Sequence, residues 1–302
     1  MFELWIPVTI AAAFSQNVRS ALQKHLKSKL STAGATSARF FYAVPFAFLY
    51  AVFLHQGFDF ALPEPNWRFA FFGVIGGMAQ IVATALLVYL FSFRNFAVGT
   101  TYSKTETVQA AIFGLVILGD TLSTGAVVGI MISLIGVMAI SQARQEAGMK
   151  GLLTSLTQKT ALIGIASGAA FGISAVAYRA SSLSLGGEGF LMQASFTLAC
   201  VTIIQAMIMA LYLRMREPGE ITTVARNWKV AGLVGLSGMF GSACWFTAMT
   251  IQNVAYVRAL GQIELVFTFA ASYFIFKERT NTMEFMGILA VIGGIVLLLL
   301  WR

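Results

Sequence analysis

Residues 99–111 read GTTYSKTETVQAA, between the apolar runs LLVYLFSF (86–93) and IFGLVILG (112–119). In a loop, Lys104 and Glu106 are ordinary solvated charges. In the middle of a membrane helix each costs several kcal/mol and must face a cavity or a partner. The composition of the whole chain chooses between these readings. Of its 302 residues 58% are hydrophobic and 11% charged, with a mean hydropathy of +0.80, whereas a soluble domain carries roughly 25% charged residues. This is a chain for a lipid bilayer.

The formal charge of +8 is scattered through short loops, which excludes the single basic face of a nucleic-acid binder and identifies the bilayer as the partner surface. Cys200 and Cys244 stand apart in apolar text with no CxxC spacing, so neither a disulfide framework nor a thiolate metal site is expected. His25 and His55 fall where apolar runs end, leaving no buried imidazole for a metal or for base chemistry. The start, MFELWIPVTIAAAFSQN, has an acidic n-region and no cleavage pattern, and is read as a retained first helix.

A hydrocarbon core of about 30 Å needs roughly 20 apolar residues per helix. Ten such runs are marked: 3–23, 33–55, 68–91, 95–118, 121–143, 161–180, 187–213, 228–250, 253–276 and 281–301. The predicted fold class is therefore an all-α integral membrane protein of ten transmembrane helices. Two of its hairpins are copies. NFAVGTTYSKTETVQAAIFGLVILGDTLSTGAVVGIMISLIGV from Asn95 aligns without a gap with NVAYVRALGQIELVFTFAASYFIFKERTNTMEFMGILAVIGGI from Asn253, at a shift of 158. Glu106 meets Glu264, Asp120 meets Glu278, Gly129 meets Gly287 and Gly136 meets Gly294. AFSQNVRSAL from Ala13 is echoed more weakly by AFGISAVAYR from Ala170.

The predicted domains are a first five-helix repeat over 1–143, a polar linker over 144–160 and a second five-helix repeat over 161–302. An odd number of helices per repeat inverts the second copy in the membrane, the arrangement of secondary transporters with a site near the midplane. Loops after helices one, three, five, seven and nine hold 13 Lys and Arg, against 3 (Arg68, Arg179, Arg302) on the other side. That bias predicts cytoplasmic odd loops and non-cytoplasmic termini, in a bacterial inner membrane.

Four basic residues remain inside the marked helices, Arg19, Arg39, Lys104 and Arg258, together with Glu106 and Glu264. Each glutamate lies about 16 Å into its helix, counted from Asn95 or Asn253, close to the midplane. Repeat-paired glutamates at that depth predict a central cavity rather than a locking ion pair. On a continuous helix Glu106 shares a face with Tyr102 and Gln109, Lys104 points some 200° away, and Glu264 shares a face with Leu260, Gly261 and Phe267. Gln262 is the counterpart of Lys104. Gln16, Asn17, Arg39, Gln80, Gln193 and Trp245 are further candidates to line the cavity or to anchor helices. Arg258, nearer a helix end, is a candidate for the site or for snorkelling. Gly73/Gly77, Gly125/Gly129 and Gly164/Gly168/Gly172 predict close helix contacts.

The segments TETVQAAIFGLVILGDTLSTGAVVGIMISLIGVMAI and GQIELVFTFAASYFIFKERTNTMEFMGILAVIGGIVLLL, with SARFFYA carrying Arg39 in helix two, resemble the EamA-like branch of the drug/metabolite transporter superfamily. The resemblance implies a basket of ten helices around a cavity open alternately to each side, and export of amino acids or other small metabolites. Here the basic loop KHLKSKLS follows helix one, where the family usually carries it after helix two.

The functional expectation is a secondary active transporter of a small polar metabolite, an amino acid or an organic anion, working by alternating access. Four positive against two negative helix charges predict a cationic cavity, and Glu106 or Glu264 is expected to carry a coupling proton. The alternative is an exporter of lipophilic cations, in which the glutamates dominate the cavity and Lys104 and Arg258 face away. Enzyme chemistry lacks its nucleophile–base pair or metal site here. No cofactor is expected, and no Gly-rich phosphate loop suggests ATP drive. The unit is read as a monomer, with its oligomeric state left open.

Overall fold

The computed structural model describes residues 3–93, 96–143, 158–187, 189–270 and 281–301, with the side chains of 96–98 and 141–143 excepted. These residues form helices and turns, with no strand among them. The helices are α1 (Trp5–Leu26), α2 (Thr32–Phe41), α3 (Val44–Phe58), α4 (Trp67–Leu90), α5 (Phe96–Ser103), α6 (Glu106–Leu118) and α7 (Thr124–Ala143). In the second half they are α8 (Lys159–Ser184), α9 (Phe190–Arg216), α10 (Glu220–Arg226), α11 (Trp228–Ile251), α12 (Val254–Gly261), α13 (Glu264–Ala270) and α14 (Thr282–Leu300). Most of the expected linker, the KERT part of the last hairpin with Glu278, and Arg94, Arg144, Lys150, Lys277, Arg279 and Arg302 lie outside the described residues.

Six helices among the described residues are long and apolar enough to cross a membrane, Thr32–Phe58 counted as one, and Thr124–Ile140 is a shorter apolar helix. The remaining marked runs fall short for a physical reason. α1 carries Gln16, Asn17, Arg19 and Gln23, and the runs 95–118 and 253–276 are each broken in two. Large apolar side chains such as Val116 and Leu300 stay about three-quarters exposed. That surface requires lipid.

Three runs expected as continuous helices are interrupted. Pro45 starts α3. It lacks an N–H and its ring clashes with the carbonyl four residues back, so α2 ends at Phe41. Of the other two breaks, the first contains neither Pro nor Gly and the second has Gly261 inside its turn. At Lys104–Thr105 the backbone tightens, Lys104 N–H donating to Thr101 O at 2.9 Å and Thr105 N–H to Tyr102 O at 3.2 Å. At Gln262–Ile263 the bonds run to Ala259 O (3.2 Å) and Leu260 O (3.0 Å). These are 3₁₀-type turns, a geometry that in mid-helix often marks a hinge. Both fall at the same place in the internal repeat, 158 residues apart.

Two further expectations are corrected. Residues 220–226, expected as loop, form α10, and the Ser31 hydroxyl and N–H near α2 donate to Glu217 and Glu220. Helix α8 extends to Ser184, so Arg179 is a helical residue rather than a loop cation.

Glycines set the packing. A β-carbon at Gly168 would lie 2.8 Å from Ser103 O and 3.2 Å from Glu106 N, so α8 presses directly on the α5–α6 break. Helices α7 and α14 meet reciprocally: a β-carbon at Gly129 would lie 2.6 Å from Gly294 O, and one at Gly136 would lie 2.6 Å from Gly287 O. Gly136→Leu is expected to cost about 1–3 kcal/mol by overpacking this seam. Unfolding of the purified variant in lipid nanodiscs measures it; wild-type stability would show that the seam yields.

Candidate functional site

The two breaks and α1 surround a cavity of about 360 Å³. Its wall includes Gln16, Asn17, Arg19, Lys104, Glu106, Glu264 and Glu284. Gln16, Lys104, Glu106 and Glu264 also border a narrow recess lined by Thr107, Trp245, Arg258, Gly261 and Gln262. Leu87, Phe91, Ile140 and Glu284, near the ends of α4, α7 and α14, belong to the cavity wall.

Two ion pairs cross between the broken helices. Lys104 Nζ pairs with Glu264 Oε1, and Arg258 Nη1 with Glu106 Oε1 at 2.9 Å. Lys104 and Glu106 therefore do not pair with each other, as helical spacing indicated. The 200° separation does not hold, because the chain turns at Lys104–Thr105 and brings both to one cavity. Of the helix-face neighbours assigned to Glu264, Leu260 and Gly261 belong to the preceding helix, because Glu264 begins a new one, while Phe267 stays three residues on within α13.

The pairing follows from one sequence difference. Where the first half carries Lys104 the second carries Gln262, which cannot neutralise Glu106 and instead donates to Thr107 Oγ1 at 2.8 Å. Glu106 takes its cation from Arg258, one helical turn earlier. Arg258 is 8% exposed and lies over the Trp245 ring at 4.6 Å, so it is an interior cation and does not snorkel.

Helix α1 holds the second glutamate. Gln16 Nε2 donates to Glu264 Oε2 at 3.0 Å while Gln16 Oε1 accepts from Trp245 Nε1 at 3.2 Å. Asn17 Nδ2 donates to Glu264 O at 2.9 Å and to Thr268 Oγ1 at 3.1 Å. Trp245 covers Gly261, where a β-carbon would lie 2.5 Å from Trp245 Cη2.

The other expected site residues lie elsewhere. Arg39 is buried and donates to Thr84 Oγ1 (3.0 Å) and Ser242 Oγ (3.5 Å), off the cavity wall. Gln80 accepts from Tyr178 Oη (3.1 Å) and Gln205 Nε2 (3.0 Å) in a separate buried network. Tyr102 is buried against Ala161. Gln109 donates to Thr105 Oγ1 at 3.2 Å, bracing the break. Gln193 donates to Gly186 O at 2.8 Å in a loop. Sequence reasoning missed Arg19 and Glu284 as lining residues.

This changes the electrostatics. Arg39 leaves the cavity count and Glu284 enters it, so Arg19, Lys104 and Arg258 face Glu106, Glu264 and Glu284. The expected cationic surplus is absent among these described residues.

Near the C-terminal ends of α8 and α11, Arg179 ties three helices together. Its Nη1 donates to Met249 O at 2.6 Å and Gln252 O at 2.8 Å, at the end of α11. Its Nε lies 3.4 Å from Asp120 Oδ2 after α6. Ser123 Oγ donates to Trp301 O at 2.5 Å beside it.

The profile of the EamA-like transporter family matches residues 3–142 and again residues 158–300. One solved structure, described only as "Crystal structure of protein", superposes with a TM-score of 0.71 over 99% of this chain and 97% of its own, at 15% identity. That likeness speaks for the fold alone. No curated protein matches the sequence.

Proposed function

The chain belongs to the EamA-like transporter family, so it is a multi-pass membrane protein of a transporter family, and on that premise we propose that it carries a small polar metabolite by alternating access. The substrate class is an amino acid or organic anion, and the mode is secondary active transport. The reading rests above all on the crossed pairs Lys104–Glu264 and Arg258–Glu106 at twin helix breaks. Broken helices around a central site are how transporters expose polar groups without exposing backbone to lipid.

The ten spans are proposed as two inverted repeats, 1–143 and 161–302, and the reciprocal α7–α14 contact supports this. The ends of α4 and α7 that contribute to the cavity wall are proposed to lie on the side of Lys27 and Lys29, and the cavity to open from there to the cytoplasm of a bacterial inner membrane, with the opposite side closed. The monomer is proposed as the transporting unit. Glu106 or Glu264 is proposed to carry the coupling proton; unchanged rate and pH dependence in Glu106→Gln would remove that role from Glu106.

Export of lipophilic cations is the less favoured reading, because Lys104 lines the cavity and both midplane glutamates already hold cations. Counterflow in proteoliposomes tests the choice, using radiolabelled amino acids, organic acids and lipophilic cations. Saturable counterflow of an amino or organic acid, lowered about tenfold or more in Lys104→Ala, is expected. Counterflow of lipophilic cations alone would reverse the assignment.

A further inference from the structure

Arg19 differs from every other buried cation of the site. It is 4% exposed and lines the cavity on the same α1 face as Gln16, three residues earlier. Its Nε is buried with no hydrogen-bond partner. Lys104 and Arg258 each hold a glutamate, Arg179 holds Asp120 and two carbonyls, and Arg39 holds two hydroxyls. Among the described residues no carboxylate forms an ion pair with the Arg19 guanidinium at contact distance. A buried charge without a contact counter-ion costs several kcal/mol, and the cavity on whose wall Arg19 lies has space for one.

The chemistry of that counter-ion is specific. A planar guanidinium matches a carboxylate with two parallel hydrogen bonds. Thr100, Ser103, Asn17 and Thr268 add hydroxyl and amide groups to the same wall. Arg19, Lys104 and Arg258 already balance Glu106, Glu264 and Glu284 in formal charge, so a carboxylate ligand that carries its own positive charge leaves the site neutral. Gly238 of α11 leaves room for the side chain: a β-carbon there would lie 3.3 Å from Arg19 Cδ and 3.4 Å from Arg39 Cγ.

We propose that Arg19 docks the carboxylate of a zwitterionic substrate of amino-acid size. This rests on the transport reading above and narrows it from small polar metabolites to zwitterions with one carboxylate.

The test is ligand binding to the purified full-length protein in nanodiscs, by thermal shift and then titration. The probes are the L-amino acids singly, the carboxamide of each that binds, inorganic phosphate and a lipophilic cation. At least one amino acid is expected to stabilise the wild type and its carboxamide to fail. Arg19→Gln is expected to weaken the amino acid about 30-fold, with partial recovery in Arg19→Lys. The carboxamide comparison needs no variant, so it stands even where Arg19→Gln does not fold. Equal binding of amino acid and carboxamide, or undiminished binding by Arg19→Gln, would overturn the role of Arg19 while leaving a metabolite transporter. Tighter binding of phosphate would overturn the carboxylate assignment. Stabilisation by the lipophilic cation alone, or by no probe, would overturn the zwitterion proposal and count against the metabolite reading beneath it.

Discussion

Glu106→Gln is expected to destabilise the protein by about 3–5 kcal/mol, because it leaves Arg258 buried without its counter-charge. Arg258 has little else to rely on: it is 8% exposed, its Nε has no hydrogen-bond partner, and its remaining contact is the Trp245 ring. Arg258→Gln should cost a similar amount by stranding Glu106. The double variant should recover most of the loss, since replacing both partners removes the stranded charge. Denaturant unfolding in a double-mutant cycle isolates the coupling between the two. Transport should stay low in the double variant, because two neutral amides no longer tie the α6 break to α12. Strictly additive losses would show that the pair is not coupled, and full transport in the double variant would make it structural only.

The second large effect is expected at Arg179. Its guanidinium ties α8 to the last carbonyls of α11 and to Asp120 after α6, across the side proposed to be closed. Hydrogen bonds to a charged group are worth about 1.5–3 kcal/mol each, so losing two releases about 3 kcal/mol or more. That is enough to move a two-state equilibrium on the order of 100-fold. Arg179→Ala is therefore expected to expose the recess from the side now closed. Thr107, 1% exposed and lining that recess, is the reporter. In a Cys200→Ser, Cys244→Ser background, Thr107→Cys should react about 100-fold faster with an impermeant thiol reagent applied from that side. An unchanged rate would mean that other contacts hold the seal.

Depth and repetition make part of this site legible in the amino-acid sequence alone. Glu106 and Glu264 stand out because each is a charge about 16 Å inside an apolar run and each has a copy of itself. Pro45 is equally visible as a residue that ends helices, although the apolar run 33–55 continues straight through it. The break at Lys104–Thr105 leaves no such mark, and Gly261 in the turn at Gln262–Ile263 is a weak one, since glycines recur throughout the helices of this chain. Both breaks arise from neighbours, through Gly168 pressing on Ser103 O and through Asn17 and Gln16 holding Glu264. Helical face arithmetic for Lys104 and Glu264 assumes an unbroken helix and so fails at both. Arg39, Gln80 and Arg19 show the same limit from another side. All three are buried polar residues in apolar helices, and only the identity of their partners separates anchors from a cavity wall.

The substitution of Gln262 for the second lysine has a consequence for handedness of entry. Were both positions lysine, the two ends of the site would be chemical images of one another, and a ligand with unlike ends would gain nothing by choosing between them. With a lysine on one side and a neutral amide on the other, and with Arg19 contributed by α1, the ends differ. On the transport reading, a molecule with distinguishable termini would thereby be given one preferred direction in which to lie, and would present the same end each time it arrives.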